Sequence, residues 1–387
     1  MNSILFFLIN LQLFVDSLVP SIYLVRILRI YENIGHYSKL VFIVMFFSIF
    51  LGLLKCKKIK FPYIIVPLFF CFLYGFIVTL IIGDLDVRRI VPNVASALFA
   101  MMLVIFGYNV SFRGEQLKIV LEKWRHRVVV SFILGFSAMN ILIYVFGYSF
   151  YPSFVAFVLV IPLISYYLDK KYYKAMFVLF LILLSGKRGP LIAVILSFSL
   201  HYVFLKFNHL VRVFKVGFLF FLILIGGGLF ILNADIATFK KFQNIDFSDP
   251  DFLTIVTSGR NLEIQSSLDE VNADDSLFVG KGFSFKYVLY DDIANVSEER
   301  GYVHFSPLNS VLYMGFIFGL IYIISIYVYP LFYLAKGKVM TYKESFFLLL
   351  FMCHLFNSLF SYTISQEALF WVSLGVLCQR KLISQVN

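Results

Sequence analysis

The sequence predicts an all-α polytopic integral membrane protein with about 12 transmembrane helices and one large extracytoplasmic loop that bears short helices. The chain of 387 residues is 61% hydrophobic and only 14% charged, and its mean hydropathy is +0.89. Soluble domains are nearer to half apolar and a quarter charged. Apolar runs such as 41–54 and 346–355 are continuous, without period-two alternation. Because lipid offers no water to backbone polar groups, these runs are expected to be helices.

Twelve stretches are candidate spans, since crossing the hydrocarbon core takes about 20 apolar residues. They are about 4–25, 38–54, 62–83, 90–111, 128–147, 152–168, 175–186, 189–206, 214–233, 307–330, 345–363 and 366–378. Asp16 and Pro20 interrupt the first of them. The seventh and twelfth are short for a full crossing, which indicates tilted or re-entrant segments.

A long polar segment at 234–306 sets the predicted domain organisation. It holds 13 of the 22 acidic residues. Residues 1–233 carry spans 1–9, residues 234–306 form the extracytoplasmic loop, and residues 307–387 carry spans 10–12 and a cytoplasmic tail. With both termini in the cytoplasm, the inner loops hold 20 basic residues and the short outer loops hold seven. The positive-inside rule therefore places the long loop outside the cytoplasm.

The charge and the cysteines exclude several classes of function. The net charge of +11 is divided among short clusters between spans, which is typical of cytoplasmic loops and argues against a nucleic-acid partner. The four cysteines, Cys56, Cys71, Cys353 and Cys378, lie outside the long loop and lack metal-binding spacing. We therefore expect no disulfide in the loop, no metal site and no cofactor.

Within the long loop, two helices and a turn are predicted. Asp249 and Pro250 are typical of a helix start, and Gly259 would end that helix. A second amphipathic helix follows, with apolar or neutral residues at helical spacing: Leu262, Gln265, Leu268 and Val271. Gly280 and Gly282 form a flexible turn between aromatic residues. Residues 291–299 are expected to be a solvated acidic tip.

The strongest candidate for chemistry is the turn Leu184-Ser-Gly-Lys-Arg-Gly-Pro190, between two apolar spans. Its glycines let the backbone approach a ligand, and Pro190 would open a helix whose N-terminus attracts anions. Lys187 and Arg188 would supply the charges. The alternative is a tight turn with two cations that reach the lipid headgroups.

Three further places carry candidate residues. Arg260 lies at the junction of the two loop helices, where a surface salt bridge is the alternative. His304 lies where the loop re-enters the bilayer, and histidine is a common general base near neutral pH; a structural histidine is the alternative. The adjacent Arg88 and Arg89 lie on the outer side, where they would hold either a substrate anion or lipid headgroups.

These features, in this order, resemble the bacterial polysaccharide polymerase and O-antigen ligase superfamily. The resemblance covers roughly the second half of the chain: the small-basic turn Ser185–Gly189, the loop arginine Arg260, the Gly280–Gly282 segment, and the segment from His304 through Asn309 to Gly319. It implies a GT-C-like architecture. Many ligases carry a polar residue directly after the histidine, whereas this chain has Phe305, which favours an O-antigen polymerase of the Wzy type.

The resemblance implies roles for individual residues. Arg188 and Arg260 would hold the lipid-linked pyrophosphate, and His304 would act as the base for the acceptor hydroxyl. The remaining substrate-binding candidates are Lys187, Arg88, Arg89, Gly280, Gly282 and Asn309. Loop aromatics such as Phe283, Phe285 and Tyr287 would either stack on sugars or form the hydrophobic core of the loop.

The implied reaction joins repeat units carried on undecaprenyl pyrophosphate, at the outer face of the bacterial cytoplasmic (inner) membrane. Expected partners are this lipid-linked glycan, membrane lipid, and a chain-length regulator and flippase of the same pathway. One alternative is an O-antigen ligase, which transfers the polymer to lipid A core. Another, of a different class, is a flippase or transporter of lipid-linked oligosaccharide, for which charged residues deep within spans would be expected.

Overall fold

The structure is a computed structural model that describes residues 2–27, 35–54, 58–82, 85–146, 156–185, 187–205, 260–291, 296–328, 340–359 and 367–379. These residues are mostly helical, which confirms the expected dominance of helices. The predicted span at 214–233 and the predicted helix start at Asp249 and Pro250 lie outside the described residues.

The described helices follow the apolar runs of the sequence. They are α1 (Asn2–Ile27), α2 (Gly35–Leu54), α3 (Ile65–Ile81), α4 (Val87–Asn109), α5 (Gly114–Phe146), α6 (Val160–Leu168), α7 (Tyr172–Leu184), α8 (Arg188–Leu205), α9 (Arg260–Asn272), α10 (Ser306–Ile323), α11 (Tyr342–Ser358) and α12 (Ala368–Cys378). A 3₁₀ turn, Ala156–Leu159, precedes α6, and a π-helical turn, Ile324–Val328, follows α10. Asp16 and Pro20 do not interrupt α1.

One β-hairpin departs from the predicted all-α architecture. Strands β1 (Tyr287–Asp291) and β2 (Val296–Arg300) are antiparallel, with Tyr287 opposite Arg300. This hairpin includes most of the stretch that the sequence predicts as a solvated acidic tip. Tyr287 is buried while Val288 is exposed, so the two faces of β1 alternate as a half-buried strand requires.

Two of the described helical segments are long and apolar enough to cross a membrane, Val87–Asn109 and Ser306–Tyr327. The first has 23 residues, about 35 Å at about 1.5 Å per residue, which exceeds a hydrocarbon core of about 30 Å. The other apolar helical stretches described have 10–17 residues. The number of about twelve spans stays a prediction.

The chain forms two compact units, each built from three separated segments. The first unit comprises Met1–Lys58, Val110–Asn244 and Gly337–Cys353, and the second comprises Ile59–Asn109, Ile245–Lys336 and His354–Asn387. The described part of the predicted loop therefore belongs to the second unit, together with α3, α4, α10 and α12.

In the first unit, α1 packs against α5. The indole N–H of Trp124 donates to the side-chain oxygen of Asn10 at 2.6 Å. Leu117, Leu121 and Val128 are fully buried at helical spacing along one face of α5. This apolar face explains why α5 continues for 33 residues through a stretch, 113–127, that the sequence predicts as an inner loop.

In the second unit, α10 is broken at Gly315, whose φ and ψ are 69° and 174°. A Cβ atom on Gly319 would lie 2.7 Å from the Cα atom of Val311, although eight residues of straight helix span about 12 Å. The two halves of α10 therefore fold towards each other at Gly315. Gly319 therefore allows close packing between the two halves of its own helix.

The segment that precedes the hairpin restores the hydrogen bonds lost at this break. Phe316 N–H donates to the carbonyl of Leu277 at 3.0 Å, and Lys281 N–H donates to that of Leu312 at 2.8 Å. Gly282 N–H donates to the carbonyl of Tyr313 at 3.0 Å. A broken helix needs such partners where water is excluded. The loop segment supplies them, so it is hydrogen-bonded to both halves of α10.

A small apolar core holds α9, the hairpin and α10 together. Its fully or nearly fully buried members are Val271, Phe285, Tyr287, Val303 and Leu312. Two of the loop aromatics considered for sugar stacking thus belong to the core of the loop.

Candidate functional site

A groove with one cationic end lies within the second unit, between α4 and the first half of α10. Its volume is about 300 Å³. Arg88, Arg89 and Tyr302 line one end, and Met101 and Trp371 line the other. Arg88 and Met101 are 13 residues apart on α4, which corresponds to about 20 Å along the helix axis. The groove is therefore elongated, cationic at one end and mostly apolar in its lining.

The walls of the groove are set by helical periodicity. Asn93, Ala97 and Ala100 follow one face of α4, and Ser306, Ser310 and Tyr313 follow one face of α10. Phe72 of α3 and Phe283 of the loop add aromatic rings, whose centroids are 5.6 Å apart. Small residues on α4 leave the space, and aromatic residues on the facing elements make its surface apolar.

Arg89 is held in place by two carboxylates. Its Nε donates to Asp86 Oδ2 at 3.2 Å, and its Nη2 contacts Glu299 of β2. A Cβ atom on Gly301 would lie 3.1 Å from Arg89 Nη1, so the absence of a side chain there lets the guanidinium lie close to the chain. Arg89 is thus positioned at the groove end by α4 and the hairpin together.

Arg88 is exposed, in contrast to its neighbour. Its backbone N–H donates to Asp86 Oδ1 at 3.0 Å, which caps the start of α4. Among the described residues, the Arg88 guanidinium forms no hydrogen bond and no ion pair. Arg88 can therefore give all of its donors to a bound anion, with the bidentate geometry that suits phosphate.

His304 is bonded to a buried carboxylate that the sequence analysis did not single out. Its Nδ1 lies 2.8 Å from Glu263 Oε2 and 3.0 Å from Glu263 Oε1. Its backbone N–H donates to the same carboxylate at 3.3 Å. Glu263 is only 5% exposed, although it lies on the predicted amphipathic helix α9. Its buried neighbours along that face are Ser267 and Val271.

Arg300 completes this cluster. Its Nη1 contacts Glu263 Oε1, and its Nη2 donates to Glu298 Oε2 at 2.7 Å. Burial opposes the charged form of Glu263, but the hydrogen bonds from His304 and the charge of Arg300 outweigh it. The pKa of Glu263 consequently lies below its ordinary value of 4.5. Glu263 is therefore an ionised acceptor for His304.

The cluster adjoins the polar end of the groove. The ring of Tyr302, which lines the groove, lies edge-on to the His304 ring with centroids 5.6 Å apart. The His304 side chain is 30% exposed, so the cluster is not fully enclosed. Arg89, Glu299 and Arg300 connect the groove end to the His304 cluster through the hairpin.

Arg260 is the first residue of α9, one helical turn before Glu263. It is partly buried, and it forms no hydrogen bond or ion pair within the described ranges. Burial lowers its pKa, and the charge of Glu263 opposes that effect. His304 therefore bonds to the Glu263 carboxylate, whereas Arg260 lies one helical turn from it without a contact.

Other predicted substrate-binding residues have packing roles. Asn309 donates from Nδ2 to the carbonyl of Val303 at 2.6 Å and accepts from its N–H at 2.8 Å. These two bonds fix the loop where it enters α10, and Asn309 also lines the groove.

Gly280 and Gly282 allow two close backbone approaches. Both have positive φ values, 85° and 73°. A Cβ atom on Gly280 would lie 2.4 Å from the backbone nitrogen of Gly315, and one on Gly282 would lie 2.5 Å from Thr79 Oγ1. The Gly280–Gly282 segment therefore needs glycine in order to pack against α10 and α3.

Lys187 and Arg188 belong to the first unit. The N–H of Lys187 lies 3.4 Å from Ser185 Oγ, which accepts its hydrogen bond. α8 begins at Arg188, two residues before Pro190, where the sequence predicts the helix start. The Arg188 side chain lies outside the described residues. No group of three or more His, Cys, Asp or Glu side chains suited to a metal ion occurs in the described part of the chain.

Glu263 is the residue that sequence reasoning missed. The predicted apolar face of α9 included Gln265, which is exposed, whereas Glu263, Ser267 and Val271 are buried at a spacing of four residues. The sequence did contain a signal for this: Glu263 lies on the same helical face as the apolar Val271. A charged side chain on the inner face of a helix requires a partner.

Comparisons with known proteins add no relative from which a role can be transferred. No protein-family model, no curated protein and no solved structure matches the chain. The groove and the His304 cluster therefore carry the functional argument.

Proposed function

We propose that this protein is a membrane glycosyltransferase. It would polymerise oligosaccharide repeat units linked to undecaprenyl pyrophosphate, forming O-antigen or capsular polysaccharide at the outer face of the cytoplasmic membrane. The observation that carries the proposal is the groove in the second unit, with arginines at one end and apolar walls along about 20 Å of α4. Its charge distribution suits a pyrophosphate followed by the first units of a polyprenyl chain.

The reaction needs two things from the protein, cations and a base. The acceptor hydroxyl attacks the anomeric carbon of the donor sugar, and the bond from that carbon to the pyrophosphate oxygen breaks. The lipid pyrophosphate leaves with the bonding electrons, so cations must stabilise its charge. The hydroxyl proton must pass to a base. No redox step is involved, and the proposal needs no cofactor.

Arg88 is the best-placed cation for the leaving group. It lines the groove and is exposed, and its guanidinium has no partner among the described residues. Arg89 would assist by exchanging Glu299 for a phosphate oxygen, since that ion pair is partly exposed and such pairs are weak. Arg188 and Arg260 are proposed as further pyrophosphate ligands on the strength of the resemblance.

His304 is the proposed base. Glu263 holds one ring nitrogen, and the partly exposed ring leaves the other accessible. The role requires an acceptor at the polar end of the groove, beside Tyr302. Asp and Glu side chains paired at glycosidase spacing are not needed for this mechanism.

The multi-pass membrane location is part of the proposal. Besides the two long apolar segments, large hydrophobic side chains on α3, α4 and α5 are exposed, including Phe70, Ile81, Leu98 and Leu134. Exposed apolar surface of this kind is suited to lipid. We propose about 12 spans, both termini in the cytoplasm, and the predicted loop on the outer side.

The test is deletion of the gene in its host, with electrophoresis of the surface polysaccharide. Loss of polymer with single repeats still attached is the expected result. Complete loss of attached glycan, with lipid-linked polymer accumulating, would identify a ligase instead. Repeat units trapped on the cytoplasmic face would identify a flippase.

Complementation with single variants tests the site. Arg88→Ala, Arg188→Ala and Arg260→Ala should each abolish polymer at normal protein levels. Arg113→Ala is the matched control, because Arg113 is exposed and lies outside the second unit. Normal polymer from all three site variants would reject the proposed pyrophosphate ligands.

A further inference from the structure

Glu263 and His304 come from positions 41 residues apart and meet at 2.8 Å. The carboxylate accepts from the ring and from the backbone N–H of the same histidine. Glu263 is buried, whereas His304 is partly exposed. Because the carboxylate is buried, the only part of this pair that can react is the side of the His304 ring that faces away from Glu263.

The bonding determines which ring nitrogen carries the proton. An ionised carboxylate has acceptors and no donor. Two contacts favour the ionised form of Glu263: the backbone N–H of His304 donates to the carboxylate, and Arg300 contacts Oε1. The nitrogen that faces it, Nδ1, must therefore be the N–H. In the neutral ring, Nε2 then carries the lone pair and is the nitrogen free to accept a proton.

The surroundings keep this arrangement fixed. Glu263 lies on α9 between Arg260 and the buried Val271, and the α9 face packs on the core that includes Tyr287 and Val303. Val303, adjacent to His304, is bonded through both backbone groups to the side chain of Asn309. The backbone of His304 and the carboxylate of Glu263 are thus anchored by different elements.

We propose that Glu263 is a positioning residue that selects the Nδ1–H tautomer of His304, aims its Nε2 at an acceptor sugar hydroxyl, and stabilises the imidazolium once that proton has been taken. Arg300 supports it by keeping the carboxylate in place. This inference rests on the proposed glycosyl transfer for its chemical consequence, but the tautomer itself does not depend on the activity. A neutral imidazole can take the proton from an uncharged hydroxyl, which is why the expected acceptor is a sugar hydroxyl.

The first measurement reads the tautomer directly. Full-length protein labelled with ¹⁵N-histidine is placed in lipid nanodiscs, and His304 is assigned by comparison with His304→Ala. The expected result, at a pH high enough for the ring to be neutral, is the Nδ1–H tautomer. In Glu263→Gln the two tautomers should become mixed, because an amide can either accept from Nδ1–H or donate to a bare Nδ1. An Nε2–H ring in the unaltered protein would overturn the inference.

The second measurement separates positioning from binding. Lipid-linked repeat units extracted from the deletion strain serve as substrate. Glu263→Gln should lower kcat by about 100-fold, the scale of a general-base contribution, and leave KM within about twofold. Glu270→Gln, on the same helix but exposed and bonded only loosely to Lys281, should match the unaltered protein. Equal kcat values for the two variants would overturn the positioning role.

The two measurements also separate this inference from the proposed function. If the unaltered protein fails to polymerise the lipid-linked substrate, the proposed function fails. The ¹⁵N result still decides whether Glu263 sets the tautomer. If polymerisation is normal and the tautomer is Nε2–H, the enzyme stands and the positioning role falls.

Discussion

Arg89 and Glu299 are 210 residues apart in the chain, and their side chains form an ion pair at the cationic end of the groove. The pair fastens the β-hairpin to the start of α4. It also occupies one of the two arginines that would otherwise face a bound anion. Arg88, directly beside it, is without such a partner among the described residues, so the two arginines differ in how readily they can accept a ligand.

Removing the charge of Glu299 should strengthen anion binding. In Glu299→Gln, the guanidinium of Arg89 no longer has to leave a carboxylate before it can bind phosphate. A partly exposed pair contributes up to about 1 kcal/mol, so we expect the affinity for lipid pyrophosphate to rise by up to about fivefold. Binding to protein in nanodiscs measures this. Glu115→Gln, an exposed carboxylate in the first unit, is the control, and weaker binding by Glu299→Gln would contradict the prediction.

Filling the apolar part of the groove should affect the lipid chain and spare the charged end. Ala97 lines the groove, whereas its neighbour Leu98 is 43% exposed on another face of α4. Ala97→Trp should raise KM for the polyprenyl-linked substrate by about tenfold or more, because a groove of this kind must bury the chain to bind it. Leu98→Trp is the control, because it places the same side chain on the same helix but outside the groove.

A short-chain substrate makes that comparison specific. With a donor whose lipid is truncated to a single isoprene unit, Ala97→Trp and the unaltered protein should have similar KM values. Equal loss on long and short chains would show that the tryptophan disturbs the cationic end instead. An unchanged KM on both would mean that the chain lies elsewhere.

The regular helices of the second unit could be predicted from local sequence. The predicted spans at 62–83 and 90–111 correspond to Ile65–Ile81 and Val87–Asn109. Continuous apolar runs without breakers are sufficient for this. The break in α10 was not predictable, because Gly315 takes its non-helical conformation with hydrogen bonds supplied by Leu277 and its neighbours. Such partners are not visible in the helical stretch itself.

The site was partly predictable for a similar reason. His304 and Arg88 stand out because charged or titratable residues at a membrane surface need an explanation. Glu263 does not, because the loop is rich in acidic residues and none of them is marked by spacing. Its significance arises from burial beside a histidine 41 positions away, which is a tertiary property.

The lowered pKa of Glu263 should make the local stability of α9 depend on pH. A carboxyl whose folded-state pKa lies below its ordinary value of 4.5 contributes its full stability above that value. The contribution is lost as pH falls through the folded-state pKa. We therefore expect amides of α9 to be better protected in the unaltered protein than in Glu263→Gln near neutral pH, and the difference to shrink as the pH falls below 4.5 and through the folded-state pKa.

Hydrogen exchange by mass spectrometry, corrected for the intrinsic pH dependence of exchange, measures this protection. Glu270→Gln serves as the control because its carboxylate is exposed on the same helix. A difference between the unaltered protein and Glu263→Gln that is as large at the acid end as near neutrality would show that its charge has no part in holding α9.

Thr79 of α3 carries the hydrogen bond that holds the Gly280–Gly282 segment and Phe283 against α3. Its Oγ1 accepts from the N–H of Phe283 at 2.7 Å and donates to the carbonyl of Gly75, also at 2.7 Å. Thr79→Val keeps the shape of the side chain but leaves the buried N–H unpaired, at a cost of about 1–3 kcal/mol. We expect thermal unfolding several degrees lower, and faster cleavage of residues 277–286 by protease.

Thr79→Ser separates the hydrogen bond from the packing. It keeps Oγ1 and loses one methyl group, which is worth about 1 kcal/mol. If the hydrogen bond fixes the loop, the serine variant should cleave at the rate of the unaltered protein even though it is slightly less stable, while the valine variant cleaves faster. The reverse order, with serine more readily cleaved than valine, would mean that the methyl contact and not the bond to Phe283 holds the loop in place.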